Sequence, residues 1–340
     1  MELFDLKKEV QDYYGKTLQD NKDLKTNACC LGDPGYTAKE ADALSKIHDE
    51  ITKKFYGCGS PIPQALTGAT VLDLGCGSGR DCYLASAMVG DRGKVIGIDM
   101  TDEQLEVANR YKDYHREKFG WANVEFRKGE IEDLKGAGIA DNSIDCVISN
   151  CVINLSGDKE RVFREVWRVL KYGGELYFSD VFSDRRIPEA LRKDSVLWGE
   201  CLSGALYIED FRRMMLKVGF NYYYVAKQSC ITVDNKALEA QCGDIKFFSY
   251  TIRAYKIPDL EDRCEDYGEQ ATYLGTLGEG YEKSFKFDRS HIFETGKPMR
   301  VCRNFGLVLT QNEQFKSHFT VTPVKEHIGL FETTPGVCGC

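Results

Sequence analysis

The sequence lacks any apolar run long enough to cross a bilayer, which takes about 20 residues as a helix. Its first residues, MELFDLKKEV, include acidic side chains and no long apolar stretch, so a secretory leader is not expected. Positive charge is not in excess: 45 Lys and Arg stand against 53 Asp and Glu, a formal net charge of −8. Such a chain does not attract phosphate backbones, which argues against nucleic acid as a partner. Zinc spacing is missing too. There is no CxxC…CxxC pair, and the sole CxC is Cys338-Gly339-Cys340 at the end. No repeat or low-complexity tract stands out.

Against 3 Trp and 6 Met, the 14 cysteines are the conspicuous excess. In a secreted chain that count would suggest a disulfide framework; in the reducing cytoplasm expected here it points to thiol or metal chemistry. The 340 residues suggest two or three structural units. A hydrophobic share of 42% and a charged share of 29% are those of an ordinary globular protein. A cytoplasmic monomer without a membrane partner is expected.

Residues 1–67 read as two helices, over Glu2–Leu18 and Ala38–Phe55, joined and followed by cysteine-bearing loops that can act as a lid. Residues 68–182 alternate strand and helix. Strands are expected at Ala69–Leu74, Lys94–Asp99, Val124–Lys128, Ile144–Asn150 and Gly174–Asp180, with helices at Arg80–Met88, Asp102–Phe119 and Lys159–Leu170. That order predicts an α/β fold, a doubly wound parallel sheet with helices on both faces. Residues 183–240 carry two further helices, over Pro188–Trp198 and Tyr207–Val218. Residues 241–328 read as a separate α+β unit with β-type runs at Phe247–Tyr255, Gln270–Leu274, Ser284–Phe287, Val301–Thr310 and Phe319–Val324. Residues 329–340 read as a mobile, cysteine-containing tail.

The strongest local motif is DLGCGSGRD, Asp73 to Asp81. Glycines at the end of a strand let the backbone turn sharply and approach a ligand, and the next helix aims its N–H groups at it. Dinucleotide dehydrogenases also use such a loop, but with GxGxxG spacing for a pyrophosphate. Here the spacing is GxGxG, through Gly75, Cys76 and Gly77, and Asp73 precedes it. Asp73 can accept a hydrogen bond from an ammonium group. Asp99, 24 residues after Gly75, is placed for ribose hydroxyls, and Met100 for an adenine face. Ile131 and Glu132 follow the third strand and can clamp adenine and its amine. Asn150 ends the fourth strand at the same carboxyl edge. His48 and His115 adjoin no motif and read as surface or packing residues.

With these residues, positions 68–180 resemble the class I methyltransferase family. The resemblance implies a Rossmann-like, seven-stranded sheet and S-adenosylmethionine as cofactor. Longer runs are similar to its arsenic-methylating branch, the arsenite methyltransferases: VQDYYGKTLQDNKDLKTNAC, KFYGCG, GIDMTDEQLEVA, SNCVINL, VWRVLKYGGELYFSDV and VLWGECLSGALY. They span most of Val10 to Tyr207.

This resemblance selects four of the 14 cysteines; composition and spacing alone do not. It implies that Cys151 and Cys201 hold trivalent arsenic and that Cys29, or its neighbour Cys30, adds a third thiolate. Cys58 then exchanges disulfides with Cys29, and Tyr56 stands near the sulfonium as a cation–π partner. Soft thiolates suit a thiophilic arsenic centre, whose lone pair can attack a sulfonium methyl without a general base. Arsenite and its thiol conjugates are the implied substrates, thioredoxin or glutathione the implied thiol reductants, and detoxification the implied purpose. Cys76, Cys82 and Cys146 read as packing residues. Two other functions fit parts of the sequence: methylation of a sterol- or quinone-like acceptor, and metalloid binding without catalysis.

Overall fold

A computed structural model describes residues 3–13, 36–57, 59–192, 194–233 and 235–331. Cys29, Cys30, Cys58, Cys338 and Cys340 lie outside them. In chain order the first elements are α1 (Leu3–Asp12), α2 (Ala38–Ser45), α3 (Asp49–Lys53), β1 (Thr70–Leu74), α4 (Arg80–Val89), β2 (Lys94–Asp99), α5 (Asp102–Arg110), α6 (Lys112–Phe119), β3 (Val124–Lys128), β4 (Ile144–Asn150), α7 (Lys159–Val169) and β5 (Leu170–Ser183). Then follow α8 (Glu189–Arg192), α9 (Ser195–Gly199), β6 (Leu206–Tyr207), α10 (Ile208–Val218), β7 (Tyr223–Ile231), α11 (Lys236–Cys242) and β8 (Phe247–Tyr255).

The main sheet runs β3-β2-β1-β4-β5-β8-β7, with the two-residue β6 paired to the end of β5. Strands β1 to β5 are parallel, and β8 lies antiparallel between β5 and β7. Val71, Leu72 and Leu74 in β1 and Val147 and Ile148 in β4 are inaccessible to water. Central parallel strands are covered on both faces, so they read as continuous apolar runs. Helix α7 closes one face with Val162, Phe163, Val166 and Val169, all fully buried. Its N-cap Asp158 accepts the Arg161 N–H at 3.0 Å.

Several expectations need correction. The segment Phe247–Tyr255 is not part of a separate C-terminal unit. As β8 it pairs with β5 from Glu175↔Tyr255 to Ser183↔Phe247, a partner chosen by pairing and not by local pattern. Val301–Thr310 is not a strand but the core of α12 (Arg303–Gln311). Its buried stretch from Asn304 to Leu309 carries the short apolar run Phe305–Leu309, which reads equally as a strand or a buried helix. Ala38–Phe55 breaks into α2 and α3 because the His48 side chain caps the second, accepting the Glu50 N–H at 3.2 Å. Pro188–Trp198 likewise forms two short helices, and Asp102–Phe119 breaks at Tyr111. Gly329 and Leu330 are not loose: they pair with Asp266 and Glu265.

The C-terminal unit docks on the sheet beside an ion pair that joins β5 and β8 within the sheet and reaches out to Phe287. Arg253, wholly buried in β8, donates from Nε to Glu175 Oε1 of β5 at 2.6 Å. Its Nη1 donates to the Phe287 carbonyl at 3.0 Å, and its guanidinium stacks 3.9 Å from the Phe287 ring centroid. The Tyr255 hydroxyl donates to the same Oε1 at 2.9 Å. Removing one partner would strand a buried charge, a cost of about 3 to 5 kcal/mol.

His115 on α6 is 2% exposed and stacks on Tyr83 at 3.6 Å. Its Nδ1 faces the Tyr111 carbonyl at 2.7 Å, and its Nε2 accepts the His48 N–H at 3.4 Å. One nitrogen must donate and the other accept, so the ring is neutral, and burial pushes its pKa down to about 4 from 6.5. The folded state therefore gains from His115 above about pH 6.5 and loses that gain toward pH 4, a difference of up to about 3 kcal/mol. Urea midpoints should show the advantage of the natural chain over His115→Phe shrinking between pH 7.5 and pH 5. A pH-independent gap would mean that the buried ring is not held neutral.

Candidate active site

The carboxyl ends of β1 to β4 open into one cavity of about 1050 Å³, its mouth included. Open α/β sheets bind ligands at this edge because crossovers diverge there. The glycine loop supplies Asp73, Gly75, Cys76 and Gly77 to the wall. The end of β2 supplies Asp99 and Met100, and the turn after β3 supplies Ile131 and Glu132. Tyr56 comes from the loop after α3, and Asn150 and Cys151 from the end of β4. Lys7 and Val10 of α1 close the opposite side.

The loop geometry depends on a glycine where one was expected to matter. Gly75 has φ +66°, and a Cβ there would stand 2.3 Å from Val152. Asp99 braces the loop from below: one oxygen accepts the Gly77 N–H and the other the Thr101 N–H, both at 2.8 Å. The Thr101 side chain and the Met100 N–H also hydrogen-bond this carboxylate, which stands in the cavity wall. Burial raises the pKa of Asp99 and, more strongly, that of Asp73, which the nearby Asp81 carboxylate raises further. A cationic ligand group beside Asp73 would offset both effects.

Asn150 is spent on protein contacts. Its Oδ1 accepts the Gly59 N–H at 3.1 Å, while Nδ2 donates to the Gly59 carbonyl and to Asp81 Oδ2, each at 2.8 Å. A Cβ on Gly57 would lie 2.3 Å from that same amide. The side chain therefore clamps the residues on either side of position 58 against the end of β4. Arg80 supports this loop, stacking 4.0 Å from the Phe55 ring centroid and pairing with Asp81 at 2.8 Å. Arg80 and Asp81 were not singled out from sequence, although they sit within the glycine motif.

Beside the cavity, Cys151, Cys201 and Asp180 converge. The two sulfurs and a carboxylate oxygen all lie within 4.8 Å of one another, and all three residues are buried. Both cysteines have left-handed backbone, φ +57° at Cys151 and +61° at Cys201. Among described residues only Asn142 shares this among non-glycines. The Cys201 N–H donates to the Trp198 carbonyl and the Leu202 N–H to the Leu197 carbonyl, both at 2.9 Å. This is a Schellman cap closing α9, with cysteine where glycine usually sits. The Cys201 thiol points back at the Cys151 carbonyl, 3.4 Å away. Cys151 is held in a disulfide, and its partner is not among the other described cysteines. Cys29, Cys30 and Cys58 lie outside the described residues.

Asp180 and Lys159 were missed as site residues, although Asp180 ends the expected fifth strand at the same edge. Burial raises Asp180 to about 7, partly offset by the Val181 and Asn154 amides that it accepts. The half-buried Lys159 is pulled down to about 8 by desolvation against the pull of Asp180. Cys82 and Cys146 are fully buried free thiols, and burial raises Cys76 to about 11. None of the three has the raised thiolate fraction of a reactive cysteine.

Helix α1 ties the two halves of the edge together. Lys7 pairs with Glu130 at 2.5 Å, Gln11 donates to the Met100 carbonyl at 3.1 Å, and Tyr13 donates to the buried Glu200 at 3.0 Å. Tyr13 also presses on Gly199, where a Cβ would lie 2.8 Å from its ring.

A methyltransferase domain family matches residues 66–220, and a family described as the arsenite methyltransferase C-terminal domain matches residues 267–336. The chain is 48% identical over 328 residues to an arsenite methyltransferase of Aquipseudomonas alcaligenes, covering 96% of this chain and 94% of that one. It is 44% identical to an arsenite methyltransferase of Mus musculus, covering 94% of this chain and 84% of that one. A crystal structure of an arsenic(III) S-adenosylmethionine methyltransferase from Chlamydomonas reinhardtii aligns with TM-score 0.83 at 45% identity, covering 88% of this chain and all of that one.

The cap at Cys201 carries a stability prediction. Alanine keeps the left-handed strain while glycine removes it, so Cys201→Gly should be more stable than Cys201→Ala by about 1 kcal/mol. Chemical denaturation of both variants tests this; Cys201→Ala equal or more stable would mean that the backbone there is not constrained.

Proposed function

The chain belongs to the arsenite methyltransferase family, and from that premise we propose that it methylates trivalent arsenic held on its own cysteine sulfurs. Arsenite is taken first and methylarsenite next, and the activity serves arsenic biotransformation and detoxification. One observation carries the reading: the Cys151 and Cys201 sulfurs converge at the strand edge that also forms the glycine-loop cavity. Neither half alone makes an arsenic methyltransferase.

The cavity's chemistry suits S-adenosylmethionine. Asp73 is a buried acid against an ammonium, Asp99 is a fixed carboxylate in the cavity wall for ribose hydroxyls, and Ile131 and Glu132 offer an apolar face and a carboxylate for adenine. Met100 adds a second apolar face, Gly75, Cys76 and Gly77 shape the turn, and Tyr56 is a cation–π partner for the sulfonium. Asn150 contributes by holding the Gly57–Gly59 loop and not through a free amide. When bound, S-adenosylmethionine supplies an electrophilic methyl group. The protein's own residues fix the acceptor: thiolates at Cys151 and Cys201, with Cys29 (or Cys30) as the third, hold arsenic with its lone pair free. Such positioning removes the entropy cost of bringing two reactants together.

The disulfide at Cys151 supports a need for thiol reductant. A thioredoxin- or glutathione-type thiol opens the disulfide to free the ligand, with Cys58 and Cys29 as exchange partners. The same thiols return the two electrons that arsenic formally gives up on methylation. Arsenite reaches the site free or as a thiol conjugate. No helix among the described residues is long and apolar enough to cross a membrane. The proposal keeps a cytoplasmic monomer without a membrane partner, and the negative net charge argues against nucleic acid as one. A sterol- or quinone-like acceptor would need a base near the methyl group, and His48 and His115 are taken up in packing and capping.

The purified protein, given S-adenosylmethionine, a thiol reductant and arsenite, should yield methylated arsenic. Cys151→Ser and Cys201→Ser should each lower the rate by about 100-fold or more. Absence of product from the natural chain overturns the function. Product surviving both substitutions overturns the thiol assignment while leaving the function.

A further inference from the structure

Asp180 is not explained by anything assigned so far. It is 1% exposed within β5, one residue beyond the partner of Asn150, and its carboxylate lies within 4.8 Å of both the Cys151 and Cys201 sulfurs. It is not free to turn. Oδ1 accepts the Val181 N–H at 2.8 Å and Oδ2 the Asn154 N–H at 3.1 Å. The Asn154 side chain fixes the same turn by donating to the Val181 carbonyl at 2.5 Å. A carboxylate has about four lone-pair sites, so acceptor capacity remains. Carboxylate oxygen is a poor ligand for a soft centre compared with thiolate, so direct coordination is not its best use. What a fixed, buried carboxylate does well is accept a hydroxyl proton in a charge-assisted hydrogen bond.

Arsenite brings such hydroxyls. Exchange onto two thiols releases two waters, with no change of oxidation state, and leaves one As–OH: As(OH)₃ plus two R–SH gives (R–S)₂As–OH plus two H₂O. The geometry points to Asp180 as the acceptor of that remaining hydroxyl, making it a specificity and positioning residue for the hydroxylated substrate. The inference rests on the Cys151–Cys201 acceptor site proposed above. The contact belongs to the two-thiolate stage, because a third thiolate expels the hydroxyl as water. Methylarsonous acid, CH₃As(OH)₂, loses both hydroxyls on binding two thiols and leaves nothing for Asp180 to hold. Asp180 thus separates the first substrate from the second.

The test measures binding without methyl donor. The full chain carries Cys29→Ser, Cys30→Ser and Cys58→Ser, so that no third thiolate or disulfide comes from those positions, and a phosphine keeps it reduced. Equilibrium dialysis compares arsenite with methylarsonous acid, with and without Asp180→Asn. Arsenite affinity should fall by about tenfold or more in the variant, as for a lost hydrogen bond to a charged group, while methylarsonous acid stays within about twofold. Equal weakening of both would reduce Asp180 to a support of the Asn154–Val181 turn and overturn the inference, as would no weakening of either. X-ray absorption at arsenic on the Asp180-bearing protein should show two sulfur neighbours and one oxygen. Three sulfurs, or no oxygen, overturns the inference even if the variant does not fold. If the background binds neither arsenical, the two-cysteine site itself fails and this inference with it.

Discussion

The parallel pairing of β1 with β4 is the contact on which the site depends. Its register, from Val71↔Cys146 to Leu74↔Ser149, brings the two strands to their carboxyl ends side by side. The turn after β1 becomes the glycine loop, and the turn after β4 begins with Asn150 and Cys151. A slip of one residue would reverse the faces of every β4 side chain. The residues buried in both strands make such a slip costly. The register of β4 with β5, Asn150↔Ser179, then sets Asp180 one residue beyond the same line.

On that frame, the acceptor half is built from strained backbone. Left-handed φ at a non-glycine residue costs on the order of 1 to 3 kcal/mol and persists only where the surroundings dictate it. At Cys151 the N–H bond to the Ser179 carbonyl, 2.8 Å, ties the turn to β5. At Cys201 the capping bonds of α9 do so, and the buried Leu197 and Leu202 pack the cap into the core. The turn that brings each thiol into the site is thus the turn that an ordinary sequence would give to glycine. Helix α1 spans both halves, touching Met100 and Glu130 on the donor side and Glu200 on the acceptor side.

Much of the donor half was legible along the chain. The strand–loop–helix pattern around Asp73–Asp81, the acid at Asp99 and the alternation to Asp180 all derive from local rules of period and turn. Asn150 was legible as a site position, but its task was not. Its amide serves Gly59, 91 residues away, and such a contact leaves no local signature. β8 was misplaced because FFSYTIRAY states only that it is a strand, not whose neighbour it is. Helix α12 reads as a strand because its apolar run, Phe305 to Leu309, is too short for period alone to tell strand from buried helix.

What the sequence by itself determined is therefore the kind of chain: an α/β sheet, a glycine loop for the donor, and an arsenic-methylating likeness that marked four of 14 cysteines. Tertiary structure decided which groups meet. Cys151, Asp180 and Cys201 are separated by dozens of residues, and no spacing rule joins them. They converge because the turn after β4, the interior of β5 and the cap of α9 meet at one edge of one sheet. The physical reason is that backbone periodicity is written locally, whereas strand order and register are chosen by burial across the whole sheet.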